Sequence, residues 1–241
     1  MLERTTSRLT AELFAFISSP SCADCKAALD DVQKPLCLYC REKFERLSTG
    51  AGPVCLICRK NSPSACDCAE TKGGRIPSAY YFSTYSEMMK TLIHRFKFEG
   101  DRSCGSYLIS IAVSAMRRKL ESIPCDMVVP IPMRRRDIND RGFNQTHMIA
   151  AELAEALHLP SKKDILIKIR NTDFQAVLPA EKRWRNMIDA FGVAPGKQIQ
   201  GAAILLVDDI ITTGATCFEA AQALYSAGAR EVTVFAIASA D

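Results

Sequence analysis

Residues 204–216 (ILLVDDIITTGAT) constrain the fold of this chain more than any other stretch. Residues 204–207 form an unbroken apolar run, which is typical of a parallel strand covered on both faces. Two carboxylates, Asp208 and Asp209, follow this run, and a small, hydroxyl-rich turn comes after two further apolar residues. The order predicts a buried strand, a pair of acids at its carboxyl end, and a turn that leads into a helix over about 217–226.

The chemistry of this stretch suits a ribose 5-phosphate. Backbone N–H groups at a helix start, together with hydroxyls, bind phosphate monoesters, and paired carboxylates bind sugar hydroxyls or a hydrated Mg²⁺. The alternative is a strand that ends in two aspartates by chance, with a threonine that merely caps the helix. This alternative does not explain the spacing of all the motifs within residues 204–216. The patterns G-x-x-x-x-G-K-[ST] and G-x-G-x-x-G are absent. The turn consists of Thr212, Thr213, Gly214, Ala215 and Thr216.

The same run resembles the fingerprint of the type I phosphoribosyltransferases, which bind 5-phosphoribosyl 1-pyrophosphate (PRPP). The resemblance implies that Asp208 and Asp209 are the catalytic pair and hold the ribose 2′- and 3′-hydroxyls. It also implies that residues 212–216 wrap the 5′-phosphate and that Mg²⁺ accompanies PRPP.

Length, charge and hydropathy limit the classes of protein to which this chain can belong. The chain has 241 residues, a formal net charge of +4 and 48% hydrophobic residues, enough for one large domain or two small ones. So mild a charge permits an anionic ligand without by itself arguing for nucleic acid. No apolar stretch approaches the roughly 20 residues of a membrane span, and residues 1–19 predict an amphipathic helix rather than a signal peptide. We therefore expect a cytoplasmic protein without membrane insertion.

Eight of the eleven cysteines lie between positions 22 and 68, a clustering that favours metal binding over disulfides. The first set has two C-x-x-C pairs with eleven residues between them, a spacing typical of a four-thiolate zinc site. The second set ends in a tighter C-x-C pair. We predict one or two Zn²⁺ ions, with sequential or interleaved ligands. The first cysteine set is Cys22, Cys25, Cys37 and Cys40, and the second cysteine set is Cys55, Cys58, Cys66 and Cys68.

This zinc-ribbon-like module has three interpretations: structural support for the larger domain, contact with nucleic acid or protein, or a redox switch. A region of about 50 residues with few large apolar side chains usually needs a metal to fold. We therefore favour a structural role for the zinc.

A polar, glycine-rich linker over 69–77 predicts two domains: residues 1–70, with the first helix and the cysteine module, and residues 77–241. In the second domain strand and helix patterns alternate, which predicts an α/β fold with a mostly parallel, doubly wound sheet. The predicted strands cover 79–85, 127–131, 164–169, 202–207 and 232–238. The predicted helices cover 86–98, 104–119, 145–157, 181–189 and 217–226.

Two further stretches predict anion contacts. A strand ends in a proline-fixed turn followed by three arginines, whose guanidinium forks suit pyrophosphate; the alternative is a solvated charged loop. Its members are Pro130, Ile131, Pro132, Arg134, Arg135 and Arg136, with Lys97 as a further pyrophosphate candidate. The polar segment 172–186 enters the same neighbourhood, and in phosphoribosyltransferases loops at this place close over the substrate. Its candidate residues are Gln175, Lys182 and Arg183.

The order of the motifs narrows the resemblance. Paired C-x-x-C motifs, LIHRFKFEG, VVPIP with RGFNQ, FQAVLPAEKRWRN and ILLVDDIITTGAT together resemble the ComF family of ComFC- and GntX-like proteins, from about residue 14 to the end. That resemblance implies a zinc-finger-like N-terminal module before a type I phosphoribosyltransferase domain. It also implies a role in natural competence, with incoming single-stranded DNA and competence proteins as partners.

Three functional hypotheses follow. The first is a phosphoribosyltransferase whose acceptor the sequence does not name. The second is a PRPP sensor without turnover, since a fold does not guarantee chemistry. The third is a single-stranded-DNA-binding module of the DNA uptake machinery; because aromatic residues make up only 7% of the chain, it would rest mainly on phosphate contacts.

Overall fold

The computed structural model describes residues 21–31, 34–47, 51–61, 66–170, 172 and 179–240. Contacts divide the chain into two compact units, Met1–Leu47 and Ser48–Asp241. The second cysteine set therefore belongs to the same unit as the sheet, whereas the first belongs to the smaller unit. The helix predicted over 1–19 lies outside the described residues. The division into domains 1–70 and 77–241 stays a prediction.

The smaller unit is built around the first cysteine set. Helix α1 (Leu38–Leu47) begins directly after Cys37. Cys22 and Cys40 are buried, and Leu36 and Phe44 are the only large buried apolar side chains among the described residues of this unit. So small an apolar core contributes little stability by itself, which suits a fold that a metal holds together.

The larger unit alternates strands and helices along the chain. Its strands are β1 (Ala51–Cys55), β2 (Ser78–Thr84), β3 (Met127–Pro130), β4 (Leu166–Lys168), β5 (Phe191–Val193), β6 (Ala203–Ile211) and β7 (Glu231–Ser239). Its helices are α2 (Cys68–Lys72), α3 (Glu87–Phe98), α4 (Arg102–Glu121), α5 (Arg135–Arg141), α6 (Gln145–Ala156), α7 (Ala180–Met187) and α8 (Ala215–Ser226).

Five strands form the main sheet in the order β1-β2-β7-β6-β3. β2, β7, β6 and β3 are parallel, and β1 pairs antiparallel with β2 at one edge. β6 is hydrogen-bonded on both sides, since Leu206 pairs with Val129 of β3 and with Val234 of β7. β4 and β5 form a separate antiparallel ribbon.

Both faces of β6 are covered. Ile204 and Leu206 pack in one apolar cluster with α8 and the β4–β5 ribbon. The alternate residues Leu205 and Val207, which are also fully buried, face the opposite side, because successive strand residues point to opposite faces. Helix α6, whose apolar residues lie outside that cluster, contacts β3 and β6 on this second side. The predicted α/β class with a mostly parallel, doubly wound sheet is therefore confirmed.

Most predicted elements are present within about three residues of their predicted bounds. Four elements of the larger unit were not predicted: the short strands β1 and β5, the short helix α2, and α5, which begins in the arginine run. Each is too short to show a periodic pattern of apolar residues. Helix α1 of the smaller unit was not predicted either. Among the described residues, no helix is long and apolar enough to cross a bilayer.

Candidate functional site

β6 holds its two aspartates within the sheet. The pairing with β7 continues past Val207, with Asp208 opposite Ala236 and Ile211 opposite Ser239. The predicted end of the strand at residue 207 is therefore too early, because hydrogen bonding to β7 outlasts the apolar run. Since strand side chains alternate between faces, Asp208 lies on the α8 side of the sheet and Asp209 on the other side.

Asp208 is the most perturbed acid of the site. Its Oδ1 accepts a hydrogen bond from the Asp209 N–H at 2.8 Å, and the Cys217 thiol donates to its Oδ2 at 3.5 Å. Burial, reinforced by the neighbouring Asp209 carboxylate, raises the pKa of Asp208 from 3.8 to about 7, although these hydrogen bonds and Lys97 oppose the shift. The site therefore holds negative charge that a bound cation or hydroxyl donor would relieve.

Asp209 is paired with Lys97, which comes from the last turn of α3. The Lys97 Nζ lies 2.7 Å from Asp209 Oδ2, and the two side chains are 14% and 17% exposed. Lys97, a pyrophosphate candidate in the sequence, is therefore engaged with an aspartate in this structure. Its ammonium balances one of the two charges that β6 brings to the site.

The hydroxyl loop, defined here as residues 212–214, joins β6 to α8. Gly214 is the N-cap of α8 at a φ of +80°, a left-handed conformation that glycine adopts readily. Its carbonyl accepts from the Phe218 N–H at 2.8 Å, which begins the helix. Ala215 and Thr216 occupy the first turn of α8. Gly214 has no side chain with which to cap, and the Thr213 hydroxyl accepts from the Ala215 N–H at 3.4 Å. The start of α8 therefore lies at the place where the sequence predicts a phosphate, which backbone N–H groups at a helix start can bind.

The proline turn lies beside the acidic end of β6. Pro130 pairs with Val207, and the Ile131 N–H donates to the Val207 carbonyl at 2.9 Å. The Thr146 hydroxyl donates to the Ile131 carbonyl at 2.7 Å, which ties the turn to the start of α6. Residues 130–132 are thus fixed next to Asp208, as the pyrophosphate prediction requires.

The three arginines of the predicted pyrophosphate receptor differ in their surroundings. Arg134 donates two hydrogen bonds to Asp137, at 2.7 and 2.8 Å, and a third to the Thr172 carbonyl at 3.1 Å. Arg135 starts α5, and the side chain of Arg136 is 88% exposed. Arg134 therefore links Asp137 to the Thr172 carbonyl. A direct role of the three arginines in pyrophosphate binding stays a prediction.

Two residues near the site were missed by the sequence analysis. Lys168, at the end of β4, donates to the Thr172 hydroxyl at 3.0 Å. Burial, with the Arg134 guanidinium, lowers its pKa to about 8, and Asp208 is among the acids that oppose the shift. Gln145, in the quoted RGFNQ motif, is fully buried, and its Nε2 has no hydrogen-bond partner among the described residues. No pattern in the sequence marked Lys168, because only folding brings it near Asp208.

The predicted mobile segment is in part helical. Lys182 and Arg183 lie on α7, which is held in place by Trp184, whose ring packs edge-on against Phe218 of α8 at a centroid distance of 5.6 Å. Gln175 lies outside the described residues. Closure of this segment over a substrate stays a prediction.

Each cysteine set forms one cluster of thiols. In both sets all four sulfurs lie within 4.8 Å of one another, so the ligands are sequential rather than interleaved. Four sulfurs at about 2.3 Å from one Zn²⁺ lie roughly 3.8 Å apart, and the sulfurs of Cys25 and Cys37 are 3.7 Å apart. In the second set the Ile57 N–H donates to the Cys55 sulfur at 3.4 Å. Both donor sets fit a tetrahedral metal ion.

Comparison with known proteins finds clear relatives, although no protein-family model matches the chain. Competence protein F of Haemophilus influenzae is 31% identical over 161 residues, which cover 65% of this chain and 70% of that protein. Competence protein ComFC of Bacillus subtilis is 30% identical over 204 residues, 80% of this chain and 79% of the relative. The DNA utilization protein YhgH of Escherichia coli is 33% identical over 156 residues, 64% and 68% of the two chains.

Among solved structures, similar chains are phosphoribosyltransferases. An adenine phosphoribosyltransferase from Trypanosoma brucei has a TM-score of 0.39 and 13% identity, and the match covers 67% of this chain and 83% of that one. The glutamine phosphoribosylpyrophosphate amidotransferase of Bacillus subtilis has a TM-score of 0.38 and 23% identity over 55% and 26% of the two chains.

The raised pKa of Asp208 predicts a pH-dependent penalty on the ligand-free fold. Because the folded protein favours the protonated carboxyl, stability is lost as pH rises from about 4 through about 7. Asp208→Asn should therefore raise the free energy of unfolding by roughly 2–4 kcal/mol at pH 8 and by less than half as much at pH 5. Urea unfolding at the two pH values measures this difference. Exposed Asp140→Asn serves as the control, and an equal gain at both pH values would contradict the prediction.

The cysteine geometry predicts two Zn²⁺ ions per chain. Cys25→Ser and Cys58→Ser should each reduce the zinc content to about one ion, because three thiolates no longer close a tetrahedral site. Cys125→Ser, outside both sets, should leave it at two. Elemental analysis of the purified protein measures the content. A metal-free preparation with disulfides within the sets would overturn the assignment.

Proposed function

Because the chain belongs to the ComF family of competence proteins, we propose that it binds PRPP with Mg²⁺ at the end of β6. We further propose that it transfers the phosphoribosyl group to an acceptor, as a phosphoribosyltransferase of the cytoplasm. The observation that carries the proposal is the pair of adjacent aspartates on one central strand, followed directly by the glycine-capped start of α8.

The distribution of charge supports this ligand. The hydroxyl loop offers backbone N–H groups for a 5′-phosphate, and the two carboxylates offer acceptors for the ribose hydroxyls. We assign the pyrophosphate to the turn at residues 130–132, with Lys168 as the nearby cation. Lys168 suits this place because burial destabilises its charged ammonium, and a bound anion would offset that destabilisation.

Mg²⁺ fits the same acids. It prefers carboxylate and phosphate oxygens, and Asp208 and Asp209 are the carboxylates beside the proposed pyrophosphate position. When bound, the ion would neutralise charge on the leaving pyrophosphate. The raised pKa of Asp208 supports this fit, since it reports negative charge that the ligand-free protein balances only in part.

The proposed reaction needs positioning more than covalent help. As C1′ loses pyrophosphate, positive charge builds on the ribose ring, and fixed dipoles and charges lower the barrier. Asp208 and Asp209, held by the β6 ladder, would orient the ring hydroxyls with little reorganisation. In this structure the Lys97 ammonium is paired with the Asp209 carboxylate. On ligand binding, Asp209 would either break this ion pair or keep it while it accepts a hydrogen bond from the sugar.

The site assignment predicts that Asp208→Asn combined with Asp209→Asn weakens PRPP binding more than about 100-fold, because two charge-assisted hydrogen-bond acceptors are lost. Calorimetry with and without Mg²⁺ measures binding, and pyrophosphate release in the same samples measures turnover. Exposed Glu152→Gln on α6 is the control and should bind as the parent does. Unchanged affinity of the double variant would refute the site. Binding without release for any acceptor would instead favour a PRPP sensor.

A specific surface favours a second function, the binding of single-stranded DNA. The Phe98 side chain is 56% exposed, with the Arg141 guanidinium 5.0 Å from its ring centroid and the His94 ring at 5.1 Å. Arg102 lies over the Phe143 ring at 5.1 Å. An exposed aromatic ring beside arginines can act as a base-stacking platform. Folding places Arg141 near Phe98, and the part-exposed Phe143 lies under Arg102.

This platform predicts that Phe98→Ala weakens binding of a fluorescent oligothymidylate about tenfold, because one stacking contact is lost. Ile188→Ala, an exposed apolar residue elsewhere in the larger unit, is the matched control and should leave binding unchanged. Fluorescence anisotropy at two salt concentrations measures both effects. Equal losses in the two variants, or an affinity that does not fall with salt, would contradict a DNA-binding platform at this surface.

A further inference from the structure

The second cysteine set lies against the hydroxyl loop through a tight turn. We define the cysteine turn as residues 55–60. The Arg59 N–H donates to the Cys55 carbonyl at 3.0 Å, and the Cys55 N–H donates to the Lys60 carbonyl at 2.9 Å. Arg59 has a φ of +59°, in the left-handed region that residues other than glycine rarely adopt.

The Arg59 guanidinium joins the cysteine turn to the end of the sheet and to the hydroxyl loop. Its Nη2 donates to the Thr212 carbonyl at 2.8 Å, its Nε donates to the Ser239 hydroxyl at 2.8 Å, and its Nη1 donates to the Ile57 carbonyl at 3.4 Å. Ser239, the last residue of β7, is fully buried. One side chain therefore fixes three segments that are far apart in the sequence.

The backbones of the turn and the loop also touch directly. A Cβ placed on Gly214 would lie 2.8 Å from the Leu56 carbonyl oxygen, closer than real Cβ atoms approach backbone. Leu56 is fully buried and belongs to the same apolar cluster as Ile211 and Ala215. The glycine of the hydroxyl loop is thus needed both for its positive φ and for contact with the cysteine turn.

We propose that metal at the second cysteine set positions the hydroxyl loop, with Arg59 as the positioning residue that transmits its effect. In a planar trans peptide the N–H points opposite to the carbonyl. Because Arg59 holds the Thr212 carbonyl, it directs the Thr213 N–H away from the cysteine turn. The identity of the bound phosphate rests on the proposed function, whereas the link between metal and loop does not.

The physical basis is the dependence of the cysteine turn on its metal. Four thiols packed within 4.8 Å gain their stable arrangement from a tetrahedral ion, so metal binding contributes folding free energy to this turn. Loss of the ion loosens the backbone that carries Leu56 and Arg59. The hydroxyl loop then loses a charge-assisted hydrogen bond and a packing surface together.

Hydrogen–deuterium exchange of the full chain tests the link without any ligand. Arg59→Ala should speed exchange in peptides covering residues 208–216 by at least about tenfold, since a hydrogen bond to a charged group is lost. Arg59→Lys and Ser239→Ala, which keep part of the contact, should give smaller increases. Exposed Lys60→Ala removes the same charge from the same turn and should give none. Equal exchange in Arg59→Ala and the parent overturns the proposal.

Removal of the metal provides the second part of the exchange experiment. Cys58→Ser should speed exchange in residues 208–216, whereas Cys25→Ser, which disables the first set, should not. Peptides from β3 and α6 report whether the larger unit stays folded. Faster exchange throughout the larger unit, both in Cys58→Ser and in the partial variants Arg59→Lys and Ser239→Ala, would contradict the proposal. The second cysteine set and Arg59 would then support the whole unit rather than the hydroxyl loop in particular.

Binding of ribose 5-phosphate separates this proposal from the proposed function. Arg59→Ala should bind it about 10- to 100-fold more weakly, although Arg59 does not contact the proposed phosphate position. Arg59→Lys should recover part of that loss. If the parent protein binds neither ribose 5-phosphate nor PRPP, the proposed function fails, and the exchange experiment still decides the link. If the parent binds and Arg59→Ala binds equally well, the positioning role fails while the proposed function stands.

Discussion

The pairing of β6 between β3 and β7 is the constraint on which the rest of the site depends. An apolar strand hydrogen-bonded on both sides has little freedom, and β6 is so paired up to Val207. Pairing with β7 alone then continues past Asp208 and Asp209 to Ile211. The fold therefore holds the two acids in a partly buried environment, in which the charged form of a carboxylate is less stable than it is in water. Lys97, the Asp209 N–H and the Cys217 thiol compensate only in part, as the raised pKa of Asp208 shows.

The two cysteine sets have different places in the structure although they look alike in the sequence. The first surrounds the small core of the unit Met1–Leu47. The second begins at Cys55, the last residue of β1, in the unit of the sheet, and its turn contacts the loop between β6 and α8. Under the proposed link between metal and loop, a structural role, which is the simplest interpretation of a four-thiolate cluster, would also affect ligand binding, because the segment it supports is the candidate phosphate loop.

Sequence reasoning predicted the elements that carry a long periodic or apolar pattern. β6, the parallel sheet and the helices around it follow from runs such as 204–207, and both cysteine clusters follow from spacing. Most of the unpredicted elements are short, and the unpredicted site residues depend on distant groups. Lys168 belongs to no motif, and Arg59 is one basic residue among several near the cysteines. Folding brings Asp137 and Asp208 near Lys168. It also brings the Thr212 carbonyl and the Ser239 hydroxyl to Arg59.

The sequence by itself determined the α/β class, the pair of acids that follows an apolar strand, the small hydroxyl-rich turn before a helix and the clustering of eight cysteines. These features are local, since each depends on neighbouring residues and their spacing. Only the tertiary structure decided that the thiols group sequentially, that Lys97 pairs with Asp209, and that Arg59 reaches Thr212 across 153 positions. Such contacts depend on the crossing of distant segments, because a side chain finds its partner only after the sheet has aligned the strands.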